Sequence, residues 1–145
     1  MTDPIIQVVP GRAPLVLVVD DFPLVLAVVR AGLERHGFGV LLAGDGREAI
    51  DLYERDHHRI ALVLLDVQMP VLDGPRVLTV LRTIDPDVRA FFMTGDAGRY
   101  TLDDLLAIGA RRVFFKPLNF PSVAAELRQN LAPADREECL AAPPG

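Results

Sequence analysis

The sequence has a single cysteine and no long apolar run, and both shortages exclude classes of protein. One cysteine, Cys139, cannot build a disulfide framework, so nothing favours an oxidising compartment and the cytoplasm is the expected location. No apolar run approaches the roughly 20 residues that a membrane span needs. Residues 1–14 have neither the basic start nor the apolar stretch of a signal peptide. The sequence therefore predicts neither membrane insertion nor export.

Basic residues are also too few for a nucleic-acid surface. The chain has 15 Lys and Arg against 20 Asp and Glu, a net charge of −5, whereas nucleic-acid binding is driven mainly by basic groups that meet phosphates. With 145 residues, 50% of them hydrophobic, the chain is typical of one globular domain with a proper core. We expect no direct contact with nucleic acid, so any contact with DNA would run through another chain.

From Leu15 onward, short apolar runs alternate with longer segments of helical spacing. This alternation is typical of βα units that build a parallel sheet, and it predicts an α/β, doubly wound (βα)5 domain. The first and third strands are almost entirely apolar, as expected for central strands covered on both faces. The predicted strands are 15–19, 38–43, 60–65, 88–93 and 112–115, and the predicted helices are 23–36, 46–56, 75–84, 99–108 and 120–131.

The two ends of the chain differ in composition from this repeating region. Prolines and glycines punctuate both ends, and neither end is long enough for a second folded domain. We expect an N-terminal arm over residues 1–14, one folded domain over 15–131 and a flexible C-terminal tail over 132–145.

Polar side chains follow four of the predicted strands. Asp20 and Asp21 follow the first strand, Asp66 the third, Thr94 the fourth and Lys116 the fifth. Ligands of open parallel sheets bind beyond the carboxyl ends of the strands. If the strand order is 2-1-3-4-5, these four strands are neighbours and their terminal side chains converge on one crevice.

Three carboxylates in one crevice repel one another and could not all stay ionised without a cation. Magnesium suits such a site, because it prefers oxygen ligands and keeps several waters. The negative charges of three aspartates are then balanced by the two positive charges of Mg²⁺ and the one of Lys116. Such a site could accept a phosphoryl group, with Thr94 donating a hydrogen bond and one carboxylate acting as the nucleophile.

Four separated motifs make the chain resemble the receiver domain of two-component response regulators, of the single-domain, chemotaxis-regulator-like type. The resemblance covers about residues 15–131 and implies a flavodoxin-like sheet. It also implies a module that catalyses only its own phosphorylation and dephosphorylation and is not a turnover enzyme. The motifs are Val18-Val19-Asp20-Asp21, Leu64-Leu65-Asp66-Val67-Gln68-Met69-Pro70 through Asp73-Gly74, Met93-Thr94-Gly95, and Gly109-Ala110 leading to Lys116-Pro117.

The resemblance implies a role for each matching residue. Asp66 would be the phosphoacceptor, Asp21 a direct metal ligand and Asp20 a ligand through water. Gln68 would offer its backbone carbonyl to the same Mg²⁺. The side chains of Thr94 and Lys116 would bind the phosphoryl oxygens, and the Lys116-Pro117 peptide bond would be cis.

The resemblance also implies partners for this chain. The phosphoryl donor would be a phosphohistidine on a sensor histidine kinase or on a histidine phosphotransfer protein. The output would be a change of conformation that a downstream effector protein reads.

The position three residues before the lysine departs from the receiver pattern. Receivers usually carry an aromatic residue three positions before the lysine, where this chain has Val113. Phe114 and Phe115 follow, but a shift of one residue reverses the face of a strand and Phe115 lies two positions along. We therefore expect the signal to pass mainly through Thr94 and residues 95–99.

Three alternatives are compatible with parts of the pattern. A phosphohydrolase of the haloacid dehalogenase type also forms an aspartyl phosphate, but it places a second Asp two residues after the nucleophile, where this chain has Gln68. A nucleotide-binding flavodoxin-like or Rossmann domain needs a Gly-rich loop after the first strand, where Asp20-Asp21-Phe22-Pro23 stands. A pseudo-receiver that binds partners without phosphorylation would normally have lost part of the acidic set.

Overall fold

The computed structural model describes residues 13–132, in which five strands alternate with five helices. The predicted arm, except for its last two residues, and the predicted tail after residue 132 lie outside the described residues, as does Cys139. The elements are β1 (Leu15–Val19), α1 (Pro23–Glu34), β2 (Gly39–Ala43), α2 (Gly46–Asp56), β3 (Ile60–Asp66), α3 (Gly74–Ile84), β4 (Ala90–Thr94), α4 (Leu102–Ile108), β5 (Val113–Phe115) and α5 (Phe120–Gln129).

The five strands form one parallel sheet in the order β2-β1-β3-β4-β5. The predicted α/β, doubly wound fold and strand order are therefore confirmed. The register pairs Val19 with Leu65 across β1 and β3, and Asp66 with Met93 across β3 and β4. Asp20, Asp66 and Thr94, which stand at or just beyond the ends of these three strands, consequently lie at the same edge of the sheet.

Alternating side chains of the strands pack into two separate hydrophobic cores, one on each face of the sheet. Leu17 and Val19 of β1 face a core built with α2, α3 and α4, whereas Val16 and Val18 face a core built with α1 and α5. Burial on both faces explains why β1 and β3 are almost wholly apolar. In the part of the chain that the structure describes, no helix is long and apolar enough to span a membrane.

The loop between β4 and α4 is longer than the sequence predicts. Helix α4 begins at Leu102 rather than at residue 99, because Thr101 caps it. The Thr101 hydroxyl accepts a hydrogen bond from the Asp104 amide at 3.0 Å, and the Asp104 carboxylate accepts one from the Thr101 amide at 2.9 Å. This reciprocal cap leaves Arg99 and Tyr100 in the loop.

Candidate functional site

Three carboxylates lie together at the carboxyl edge of the sheet. Asp66 is the last residue of β3, and Asp20 and Asp21 directly follow β1. One ligand atom from each residue lies within 4.8 Å of the others. The parallel register of β1 and β3 brings these residues side by side, so the predicted acidic cluster is present in the fold.

Lys116 joins this cluster from β5, at the far side of the sheet. Its Nζ donates a hydrogen bond to Asp20 Oδ2 at 2.7 Å and a longer one to Asp66 Oδ1 at 3.3 Å. Asp20 is fully buried, and its other oxygen accepts a bond from the Phe22 amide at 2.9 Å. The peptide bond after Lys116 is cis, as the resemblance implies. Lys116 is thereby held between two buried acids.

Asp21 has surroundings that suit a metal ligand. Its Oδ1 is buried and has no hydrogen-bond partner among residues 13–132. A buried carboxylate oxygen without a partner is costly unless a cation binds it. The all-oxygen donor set of three carboxylates is the kind that Mg²⁺ prefers. The residues present therefore fit a hard divalent cation.

The electrostatics of the cluster centre on Asp66, which is 5% exposed. Burial, followed by the charge of Asp20, raises the pKa of Asp66 to about 6, although Lys116 acts in the opposite direction. Burial lowers the pKa of Lys116, but its bonds and charge attraction to Asp20 and Asp66 outweigh burial and leave that pKa above its ordinary value. The ammonium therefore remains charged, and Asp66 is a carboxyl group whose negative charge a bound cation would favour.

Thr94 ends β4, the strand next to the one that ends in Asp66. It is 1% exposed and lies one position beyond Met93, the register partner of Asp66. Its Oγ1 accepts a hydrogen bond from the Asp96 amide at 3.0 Å. The hydroxyl thus bonds to the start of the β4–α4 loop.

An open cleft of about 530 Å³ adjoins the cluster between the β3–α3 and β4–α4 loops. Gln68 lines it, with an exposed side chain. Across the cleft, the hydroxyl of Tyr100 donates to Asp73 Oδ2 at 2.8 Å. The sequence pattern did not single out Tyr100, although the Thr101-x-x-Asp104 spacing of a capping box could have shown that Tyr100 precedes α4. The lining residues are Val67, Gln68, Met69, Pro70, Asp73, Ala97, Arg99 and Tyr100.

No aromatic ring occupies the position three residues before Lys116. Val113 is 8% exposed and packs in the core on the α2, α3 and α4 face. Phe114 points to the opposite face, where its ring stacks on Phe91 with centroids 5.9 Å apart. Phe115 shares the face of Val113 but is 64% exposed, so it does not replace the missing ring.

A doubly wound sheet with an acidic cluster, a hydroxyl and a lysine at its carboxyl edge defines a class of phosphoryl-accepting signalling domains. Residues 16–128 match the family described as the response regulator receiver domain. The chain belongs to this family, whose role is to accept a phosphoryl group. Receiver domains bind Mg²⁺ at an acidic pocket, and nothing in the family match indicates a turnover enzyme.

A curated relative agrees with this assignment. The chain is 39% identical over 119 residues to the transcriptional regulatory protein PrrA of Mycobacterium tuberculosis, which covers 80% of this chain and 49% of PrrA. The chain thus spans about half the length of that curated relative.

Two solved structures share the fold. The receiver domain of the sensor histidine kinase PA1611 of Pseudomonas aeruginosa, with magnesium coordinated in its active-site cleft, is 27% identical with a TM-score of 0.73, and the alignment covers 81% of this chain and 97% of that one. A chain of the CheX–CheY–BeF3–Mg²⁺ complex of Borrelia burgdorferi is 27% identical to this chain, with a TM-score of 0.74. The alignment covers 80% of this chain and 87% of that one.

Proposed function

We propose that Asp66 accepts a phosphoryl group from a phosphohistidine of a sensor histidine kinase or a histidine phosphotransfer protein, in a magnesium-dependent reaction. The observation that carries this assignment is the position of Asp66. It ends the central strand β3, contacts the Lys116 ammonium and lies beside the strand that ends in Thr94. Asp20 is fully buried and already bound on both oxygens, so it is a poorer nucleophile.

The transfer is a displacement at phosphorus. A carboxylate oxygen of Asp66 forms a bond to phosphorus as the P–N bond of the phosphohistidine breaks, and the electron pair of that bond returns to the imidazole nitrogen. Lys116 and the hydroxyl of Thr94 stabilise the negative charge on the phosphoryl oxygens. The chain is in this way the catalyst and the product of its own phosphorylation, and it turns over no separate substrate.

The metal would be held by four residues of this edge. Asp21 and Asp66 would bind it directly, Asp20 through a water, and Gln68 through its backbone carbonyl. When bound, Mg²⁺ neutralises the carboxylates and the incoming phosphoryl oxygens. The unpartnered Oδ1 of Asp21 supports its direct role.

The output is a change in the β4–α4 loop that a downstream effector protein reads. A phosphoryl group adds about −1.5 to −2 charge at neutral pH, and this charge draws the Thr94 hydroxyl toward Asp66. Because Val113 offers no ring to move inward, the loop that follows Thr94 carries most of the change. The receiver of the CheX–CheY complex is bound to a separate protein, which supports a protein partner for this chain as well.

Phosphorylation of the intact chain by acetyl phosphate and Mg²⁺ tests the proposal. Intact-mass measurement should show the gain of one phosphoryl group in the wild type and in the control Asp51→Asn, whose carboxyl group is exposed on α2. Asp66→Asn should show no gain, because the nucleophile is removed. A gain at the wild-type level in Asp66→Asn would refute the assignment of the acceptor.

A further inference from the structure

The loop after β4 touches the loop after β3 at two places beside the cleft. The Tyr100 hydroxyl donates to Asp73 Oδ2 at 2.8 Å. Gly98 also lies so close to Gln68 that a Cβ at position 98 would clash with the Gln68 side chain. The loops that follow Asp66 and Thr94 are therefore in contact beside the cleft.

Asp73 is a fixed point to which Tyr100 is attached. It caps α3, because its Oδ1 accepts a hydrogen bond from the Arg76 amide at 3.1 Å. Its Oδ2 also lies 3.7 Å from the Arg99 guanidinium, whose Cζ is 5.4 Å from the centre of the Tyr100 ring. A hydrogen bond to an ionised carboxylate is stronger than one between neutral groups.

The remaining hydrogen bonds of the loop are local. The Asp96 amide donates to Thr94, the Gly98 amide to Asp96 and the Tyr100 amide to Ala97. Among residues 13–132, the polar contacts of residues 95–100 with sequence-distant side chains all run to Asp73. Besides the packing of Ala97 and Tyr100 against the core, the contacts with Asp73 therefore position this loop.

We propose that the Tyr100–Asp73 hydrogen bond is a latch that holds the β4–α4 loop in its unphosphorylated position and opens when Asp66 is phosphorylated. The inference rests on the proposed function. Movement of Thr94 toward a phosphoryl group draws the Asp96 amide with it, because the two are hydrogen-bonded. Tyr100 follows only a few residues later, and Asp73 cannot move with it because it caps α3.

A bond that is made in only one of two states shifts their equilibrium by its own free energy. Tyr100→Phe removes the bond and keeps the ring, so it favours the activated state. A hydrogen bond to a charged group has a net worth of about 1.5 kcal/mol or more, which corresponds to roughly a tenfold change in an equilibrium constant. The variant should therefore bind beryllofluoride with Mg²⁺ about tenfold more tightly than the wild type.

The chain offers a matched control in its second tyrosine. Tyr53 donates to Asp85 at 3.4 Å, an analogous Tyr–Asp pair that joins α2 to the end of α3, away from the cleft. Tyr53→Phe should leave the beryllofluoride affinity unchanged. Asp73→Asn retains a residue that caps helices well and weakens the acceptor, so it should shift the affinity in the same direction as Tyr100→Phe and by less.

The same two variants permit a direct measurement of the latch, because the chain has two tyrosines and no tryptophan. In the Tyr53→Phe variant, Tyr100 is the source of all the tyrosine fluorescence. That emission should change when beryllofluoride and Mg²⁺ are added, since the phenol loses its carboxylate partner. The emission of Tyr53 in Tyr100→Phe should not change.

The results separate the latch from the proposed function. If the wild type gains no phosphoryl group and binds no beryllofluoride, the proposed function fails and the latch fails with it. If the wild type binds beryllofluoride while Tyr100 emission stays constant, the latch alone is wrong. Equal or weaker binding by a folded Tyr100→Phe protein would overturn the latch as well.

Discussion

Asp20 and Asp21 are neighbours in sequence, but their side chains have different surroundings. Asp20 is bound to the Lys116 ammonium and to the Phe22 amide, whereas Oδ1 of Asp21 has no partner among the described residues. An oxygen without a partner is free to bind a metal ion. The two carboxylates should therefore contribute unequally to magnesium affinity.

We expect Asp21→Asn to weaken magnesium binding about tenfold or more, in the range that loss of one important ligand interaction causes. Asp20→Asn should weaken it less, because its link to the metal would run through water. Titration of each variant with Mg²⁺ measures the two dissociation constants, and Asp51→Asn provides the control for loss of charge. Equal affinities for the two site variants would contradict the ranking.

The converging polar residues could be predicted from the sequence because strand ends of a parallel sheet meet at one edge. Asp66, Thr94 and Lys116 each follow or end a recognisable apolar run. The position of Tyr100 could not be predicted in the same way, since its contact with Asp73 joins two irregular loops. The apolar periodicity of a sequence predicts helices and strands, and it does not predict contacts between loops.

Among the helices, α1 and α5 pack unusually closely at Gly32. A Cβ at this position would lie 2.5 Å from ring atoms of Phe120, at the start of α5. Glycine inside a helix normally costs about 1 kcal/mol relative to alanine. At Gly32 the missing side chain is instead what lets the two helices approach.

Gly32→Ala should therefore destabilise the fold by about 1–3 kcal/mol, the usual cost of overpacking, despite the better helix propensity of alanine. Urea unfolding measures the change. In a Phe120→Ala background the ring is absent, so the same substitution should become neutral or stabilising. A stabilising Gly32→Ala in the wild-type background would show that the ring adjusts freely.

The helices and strands were largely predictable because both faces of the sheet are covered and the apolar periodicity is strong. Their ends were less predictable. The start of α4 depends on the cap formed by Thr101, and β3 includes Asp66, a charged residue that the apolar run does not contain. Val71, with φ of 71° and a side chain 99% exposed, has a left-handed backbone that its β-branched type does not indicate.

For the molecule as a whole, the acidic cluster makes stability depend on pH. Burial and then Asp20 raise the pKa of Asp66 from an ordinary value of 3.8 to about 6, so the folded state binds a proton more tightly than the unfolded state. The stability that this difference contributes is present below about pH 4 and is lost as the pH rises through about 6.

Without metal, raising the pH from 4 to 7 should lower the free energy of unfolding of the wild type by about 2–3 kcal/mol relative to Asp66→Asn. Urea unfolding in the presence of a chelator measures this difference. Titrating groups that both proteins share contribute equally to the two free energies of unfolding, so their contributions cancel in the comparison. Added Mg²⁺ should restore the wild type at pH 7, since it binds the ionised carboxylates. Parallel pH profiles for the two proteins would contradict the expectation.

The bond between Lys116 and Asp20 joins side chains 96 positions apart. Lys116 follows β5, the last strand among residues 13–132, which must pair with β4 before the ammonium can reach the acids. A nascent chain whose β5 has not yet emerged from the ribosome therefore has the aspartates without the Lys116 ammonium. We expect the charge balance of the cluster to form only late in synthesis, once β5 has paired with β4.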